Sequence, residues 1–170
     1  MLRRDLDAGV LREAFARFPS GVVALCAIID GVTQGLIASS FTVGVSLEPA
    51  LVSFAVQNTS RTWPILRTAE RLGVSVLGAE HHSACLQIAA KDGDRFAGLE
   101  LTPSESGALF LDRAALWMEA SVYAEVPAGD HHVVLLEVHG VSTHGGQHAP
   151  LIFHDSAFHD LPKIPGASAC

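Results

Sequence analysis

Residues 21–29, Gly-Val-Val-Ala-Leu-Cys-Ala-Ile-Ile, form a near-continuous apolar run that stops at Asp30-Gly31. A short apolar run bounded by turn residues reads as a buried strand. Asp-Gly is a strong two-residue hairpin turn, so residues 32–38 return antiparallel. Further strands are expected at 51–56, 74–77 and 151–153. Two long ones, 116–126 and 131–141, are joined by a turn around Pro127-Ala128-Gly129. Helices are fewer. Leu6, Val10, Ala14, Phe15 and Phe18 recur at helical spacing and give an amphipathic N-terminal helix ending near Pro19. A short helix starts after Ser60 or Thr62 with Pro64 in its first turn, and another covers 81–90. Lys91 to Gly98 read as a charged loop. Strands outnumber helices and many are joined by hairpin-length turns. That predicts a mainly β, antiparallel, closed or nearly closed barrel with peripheral helices. The βαβ rhythm and GxGxxG turn of a Rossmann fold are absent from the sequence.

Composition narrows the function classes. At 170 residues, 49% hydrophobic and 17% charged, the chain suits one domain over 1–170 with a sizeable core. Eleven basic residues against eighteen acidic ones give a formal charge of −7 with no Lys/Arg run, which argues against nucleic-acid or anionic-membrane partners. No apolar stretch reaches the ~18 residues of a membrane span or forms a signal peptide. The three cysteines, Cys26, Cys85 and Cys170, lack CxxC spacing, so a reducing cytoplasm is the expected home. Such an apolar, lightly charged chain has surface to hide, which suggests a homo-oligomer. Nine histidines include the neighbours His81-His82 and His131-His132, but neither HExxH nor a His/Cys zinc spacing, so no metal site is expected. There is no GxSxG elbow either.

Four segments carry candidate chemistry. Ala38-Ser39-Ser40-Phe41-Thr42 offers hydroxyls and close-approaching backbone amides between apolar runs, as a phosphate or a flat polar ring requires. A polar loop capping a barrel end explains it equally. Asn58-Thr59-Ser60-Arg61-Thr62 sits where a strand ends and a helix begins, a ready anion site, although plain N-capping accounts for Ser60 or Thr62. In Lys91-Asp92-Gly93-Asp94-Arg95-Phe96 the planar fork of Arg95 suits bidentate phosphate binding; the alternative is a solvated loop with one aromatic anchor. Gly129-Asp130-His131 places a histidine at a strand entrance, with His132 on the opposite face.

The order Phe18-Pro19-Ser20-Gly21-Val22, Ala38 to Thr42, Asn58 to Thr62, Asp94-Arg95-Phe96 and Gly129-Asp130-His131 resembles the flavin reductase-like family, from about Phe15 to about Leu161. The resemblance implies a split β-barrel of the FMN-binding type, FMN or FAD as the flavin, and NADH, less so NADPH, as reductant. It places Ala38, Ser39, Ser40, Phe41, Thr42, Ser53 and Phe54 near the flavin. Asn58, Ser60 and Thr62 fall at its phosphate or ribityl chain, with Arg95 and Phe96 close by. His131 then lies beside flavin and nicotinamide as the catalytic-site histidine, where it orients rather than abstracts a proton. The closing segment 151–161 is acidic and histidine-rich, unlike the more basic run common in the family. The implied biology is a homodimeric reductase supplying diffusible reduced flavin to a partner flavin-dependent monooxygenase. The alternatives are a non-catalytic flavin-binding or electron-transfer protein on the same fold, or a flavin-free oligomeric partner subunit.

Overall fold

The computed structural model describes residues 2, 4–144 and 149–160. His148, Cys170 and the Pro-rich tail lie outside these residues. Helix α1 (Ala8–Ala16) leads into a two-residue strand β1 (Ser20–Gly21), then β2 (Val23–Ile29) and β3 (Val32–Ala38). The Asp30-Gly31 turn joins the last two, with φ of 51° and 76°. Two positive φ values in succession define the turn whose twist matches a hairpin. There follow β4 (Thr42–Leu47), β5 (Ala50–Gln57), α2 (Trp63–Leu66), β6 (Leu72–Val76), a 3-10 turn (Ala79–His81) and α3 (His82–Ala89). The chain ends in β7 (Leu101–Pro103), β8 (Leu109–Leu111), β9 (Leu116–Ala128), β10 (His131–Thr143), β11 (Leu151–His154) and β12 (Ala157–Asp160).

Seven strands form one antiparallel sheet in the order β3-β2-β6-β9-β10-β5-β4. The sheet coils into a barrel without closing, and the seam lies between edge strand β3 and the β4–β5 edge. A small sheet, β1-β11-β12, and the pair β7-β8 pack outside it. The apolar run at 21–29 divides at Val22. β1 pairs with β11, whereas β2 pairs with β3 and β6.

Both faces of β2 are buried, which is why its sequence shows no alternation. Val23, Leu25 and Ala27 point into the barrel with Phe54, Leu72, Val74, Met118, Val134 and Leu136. Ala24 and Cys26 point outward and are covered by Cys85 and Ile88 of α3 and by Leu109 and Leu111 of β8. The cover lies close. A Cβ added at Gly73 would stand 2.2 Å from the Leu109 carbonyl oxygen, so only glycine lets β8 cross there. Burial pushes the Cys26 thiol up to about 12 and the Cys85 thiol to about 11, so both behave as small apolar side chains. Buried His81 uses both ring nitrogens. Nδ1 accepts from the Gly78 N–H at 3.1 Å and Nε2–H donates to the Asp112 carbonyl at 2.9 Å, tying the 3-10 turn to the end of β8.

Five strands differ from the sequence expectation. β4 escapes a pattern reading because Gly44 (φ 69°) interrupts it and its register against β5 shifts between Thr42 and Ser46. β7 and β8 are three residues each, and β12 is a hairpin return reached through Asp155-Ser156, both at positive φ. β9 runs through Pro127 to Ala128, with the turn at Gly129-Asp130. β6 pairs with β9 only as far as Ala120, so at Pro127 the strand has one neighbour and a missing N–H is tolerated. Gly73→Ala should lower unfolding stability by about 3 kcal/mol in a denaturant titration, because the obstructing atoms are backbone. A variant as stable as wild type would show that β8 lifts freely off the sheet.

Candidate active site

At the seam the two barrel edges separate and leave a mouth. β3 ends at Ala38, and the chain crosses through Ser39-Ser40 to β4. Beyond Thr42↔Ser53, β4 no longer pairs with β5, leaving the Ala55 backbone without a strand partner on that edge. The Ser40 hydroxyl replaces it. Oγ accepts the Ala55 N–H at 3.0 Å and donates to the Ala55 carbonyl at 3.1 Å. Both backbone groups of one residue point to the same strand edge, so a single hydroxyl satisfies both.

Two adjoining cavities open from this seam. The first, about 800 Å³, is lined by residues from β3, Ala38-Ser39-Ser40, Phe54 to Gln57, Thr59 to Thr62, the end of α3 and His131. Among the described residues three cations line it, Arg61, Lys91 and Arg95, and no carboxylate does. Arg95 is fixed: Nη1 donates to the Gly35 carbonyl at 3.1 Å and to that of Ile88 at 3.2 Å, with the guanidinium 5.9 Å from the Phe96 ring centre. Arg61 and Lys91 have no hydrogen-bond or ion-pair partner among the described residues. Such a ring of cations fits a phosphate.

α2 sets the loop that presents Arg61. Trp63 and Leu66 are buried in the barrel core, with Trp63 edge-on to Phe54 at 5.2 Å. The Ser60 hydroxyl accepts the Trp63 N–H at 3.1 Å, while Thr62, the residue at the cap position, makes no side-chain cap bond. With a single turn, α2 has little dipole to offer an anion; the charge near this loop is that of Arg61.

The second cavity, about 880 Å³, shares Ser39, Ser40, Gln57 and His131 with the first. Phe41, Thr42, Phe153, Asp130 and one side of α1 complete it. His131 thus stands between the two. Its Nδ1 lies 2.7 Å from Asp130 Oδ1, and this hydrogen bond, with the histidine's charge, holds the Asp130 carboxyl below the usual range. An ionised carboxylate only accepts, so Nδ1 carries the hydrogen and Nε2 is left for a ligand. His131 pairs with Gln57 across β10 and β5, and His132 with Val56. His132 lines neither cavity; its Nδ1 sits 2.7 Å from Asn58 Oδ1.

Of the residues singled out in the sequence, Ala38, Ser39, Ser40, Phe54, Ser60, Thr62, Arg95 and His131 line the first cavity, and Phe41 and Thr42 the second. Ser53, Asn58 and Phe96 line neither. Asn58 supports the histidine turn instead, donating from Nδ2 to the Gly129 carbonyl at 3.1 Å and from its N–H to that of Asp130 at 2.9 Å. Phe96 packs against Gly35, where an added Cβ would meet its ring at 2.9 Å. Ser53 lies opposite Leu135 and Thr42 within the sheet. Thr59, Arg61 and Lys91, each part of a segment singled out in the sequence, line the first cavity too, whereas Gln34 and Gln57 were missed. Only the β5–β10 register, which sets Gln57 beside His131, could have drawn attention to Gln57. Among the described residues no group of three or more His, Cys, Asp or Glu is placed to hold a metal, and no helix is long and apolar enough to cross a membrane.

Residues 15–162 match the model of the flavin reductase like domain. The chain belongs to this family. It is 38% identical to the actinorhodin polyketide dimerase of Streptomyces coelicolor over 95% of this chain and 90% of that protein. With the reductase subunit HsaB of a flavin-dependent monooxygenase from Rhodococcus jostii it shares 32% identity over 88% of this chain and 75% of that one. A Streptomyces globisporus NADH:FAD oxidoreductase, solved in complex with NAD and FAD fragments, superposes with a TM-score of 0.87 at 28% identity, covering 99% of both chains. The protein is an NAD(P)H-dependent flavin reductase. Replacing Ser40 by Ala should cost about 1 kcal/mol in urea unfolding, since it leaves the Ala55 amide and carbonyl to water, and should weaken flavin binding. Unchanged values for both would remove Ser40 from the seam's support.

Proposed function

We propose that the first cavity holds the flavin and the second the nicotinamide reductant, and that the reduced flavin leaves for a flavin-dependent monooxygenase. One observation carries this reading: two cavities share a wall of Ser39, Ser40, Gln57 and His131, and among the described residues the first is lined by three cations and no carboxylate. A phosphate-bearing flavin fits that donor set. Arg61, Lys91 and Arg95 hold the phosphate side, while Ala38 and Ser39 let the backbone approach the ring. Bound there, flavin supplies a two-electron acceptor, taking hydride from NADH while one further proton is drawn from solvent.

The residues themselves bind and orient. Arg95 is anchored before any ligand arrives, so its charge is preorganised. His131, with its tautomer set by Asp130, offers Nε2 at the boundary of the two sites and fixes the relative placement of the two rings. A proton-abstracting base is not required for hydride transfer. Ser53, Asn58 and Phe96 act one step back: Asn58 holds the His131 turn, Phe96 packs beside Arg95, and Ser53 lies on the strand leading to Phe54. Among the described residues Arg12 is the one Lys or Arg lining the second cavity, and this sparse positive charge favours NADH over NADPH. The mouth is open, which suits a flavin that must leave. HsaB, named as a reductase subunit, supports the partner class.

The monomer also exposes apolar side chains in a pattern that suits a homodimer. Val43 and Leu47 of edge strand β4 are 62% and 90% exposed, and Tyr123, Val126 and Val141 lie bare on β9 and β10. Edge strands of this kind pair or are covered.

Titration with FMN and with FAD should quench flavin fluorescence and raise the melting temperature, and adding NADH should then consume it catalytically. Arg61→Ala should weaken flavin binding by about tenfold without altering stability, as befits an exposed, otherwise unpaired cation. No binding of either flavin at high concentration would refute the reading. Light scattering at micromolar concentration should report a dimer, and Leu47→Asp should shift it toward monomer; a fully active wild-type monomer would refute the dimer.

A further inference from the structure

Helix α1 forms one side of the second cavity with Ala8, Leu11, Arg12, Phe15 and Ala16. These positions are i, i+3, i+4, i+7 and i+8, one continuous stripe along a helix. A stripe of that kind ordinarily packs against a core. Here no residue of α1 is buried, and Phe15 is 69% exposed. The helix is held at its C-terminal end. The Asp155 N–H donates to the Ala16 carbonyl at 2.7 Å, and Arg17 pairs with the Asp155 carboxylate at 3.2 Å. Its N-terminus is capped within its own segment by Asp7, which accepts from the Gly9 and Val10 N–H groups at 2.8 and 2.9 Å. Arg12 has no hydrogen-bond or ion-pair partner among the described residues, although its charge is felt by Asp130 across the cavity.

We propose that α1 is a clamp for the nicotinamide dinucleotide: its apolar stripe covers the reductant, and Arg12 binds the diphosphate. This rests on the flavin-reductase reading and assigns the reductant's holding groups within it. Hydride transfer requires the two ligands in contact, and the second cavity abuts the first through His131 and Gln57. A dinucleotide has two flat rings joined by a diphosphate. The cavity answers with Leu11, Phe15, Phe18, Phe41 and Phe153 for the rings and one cation for the link.

Kinetics and proteolysis test the clamp together. Arg12→Ala should raise the KM for NADH about tenfold, falling on KM rather than kcat, with flavin affinity unaltered; Arg12→Lys should restore most of the loss. In flavin-loaded wild type, NAD+ should slow tryptic cleavage after Arg12 about fivefold or more, as closure buries that bond. An unchanged KM, or cleavage indifferent to NAD+, overturns the clamp. So does a loss of flavin affinity in Arg12→Ala, which would return α1 to the flavin site. A defect confined to NADPH overturns the diphosphate assignment and moves Arg12 to the 2′-phosphate. Cleavage that slows with protein concentration instead of NAD+ means a second copy covers the helix, and also overturns it. A wild type that binds no flavin and oxidises no NADH fails the reductase reading itself, while protection of Arg12 by NAD+ still decides the clamp.

Discussion

The hydroxyl of Ser40 does what a missing strand would do. A coiled sheet that stops short of closure must leave backbone donors and acceptors on its edges, and an unpaired edge in an apolar protein invites another strand. By accepting from and donating to Ala55, Ser40 ends the ladder without continuing it. The two edges can then part, and the parting is the mouth in which the cavities lie. A Ser-Ser pair at this point is therefore first a solution to a β-sheet problem. Its place on the wall of both cavities follows from standing where the β4–β5 ladder stops.

β2, the neighbour of edge strand β3, is built on the contrary rule. It is covered on both faces, inside by the barrel core and outside by α3 and β8, so the strand itself has no surface to offer a ligand. Arg95 joins the two regimes. It reaches from the loop after α3 to the carbonyls of Gly35 and Ile88, carrying a fixed charge from the doubly covered side to the mouth. The same arginine therefore holds the loop in place and contributes to the charge of the site, and the two roles are not separable by a single substitution.

The β2–β3 hairpin, the long β9 and β10 pair and α3 were legible because each rests on local pattern: an apolar run, an Asp-Gly turn, helical spacing. β4 was not, since Gly44 breaks its alternation and its identity as a strand comes from β5. The site was legible where a motif coincides with the seam, as for Ser39, Ser40 and His131. It failed where the position depends on register. Gln57 reaches the site only because β5 and β10 set it beside His131. Asn58 belongs to a motif that suggests ligand contact, yet its amide is occupied by His132 and Gly129. A run of polar residues after a strand cannot disclose which of them the next turn will claim.

Gly73 has a mechanical consequence. With β8 seated directly on the β6 backbone, the outer layer is keyed to the barrel and the two strain as one stiff body. Compliance is left to the element without such seating, the helix α1, whose anchorage is a single turn at Asp155. The second cavity is thereby walled on one side by a stiff body and on the other by a lightly anchored helix, so its width is set from the helix side.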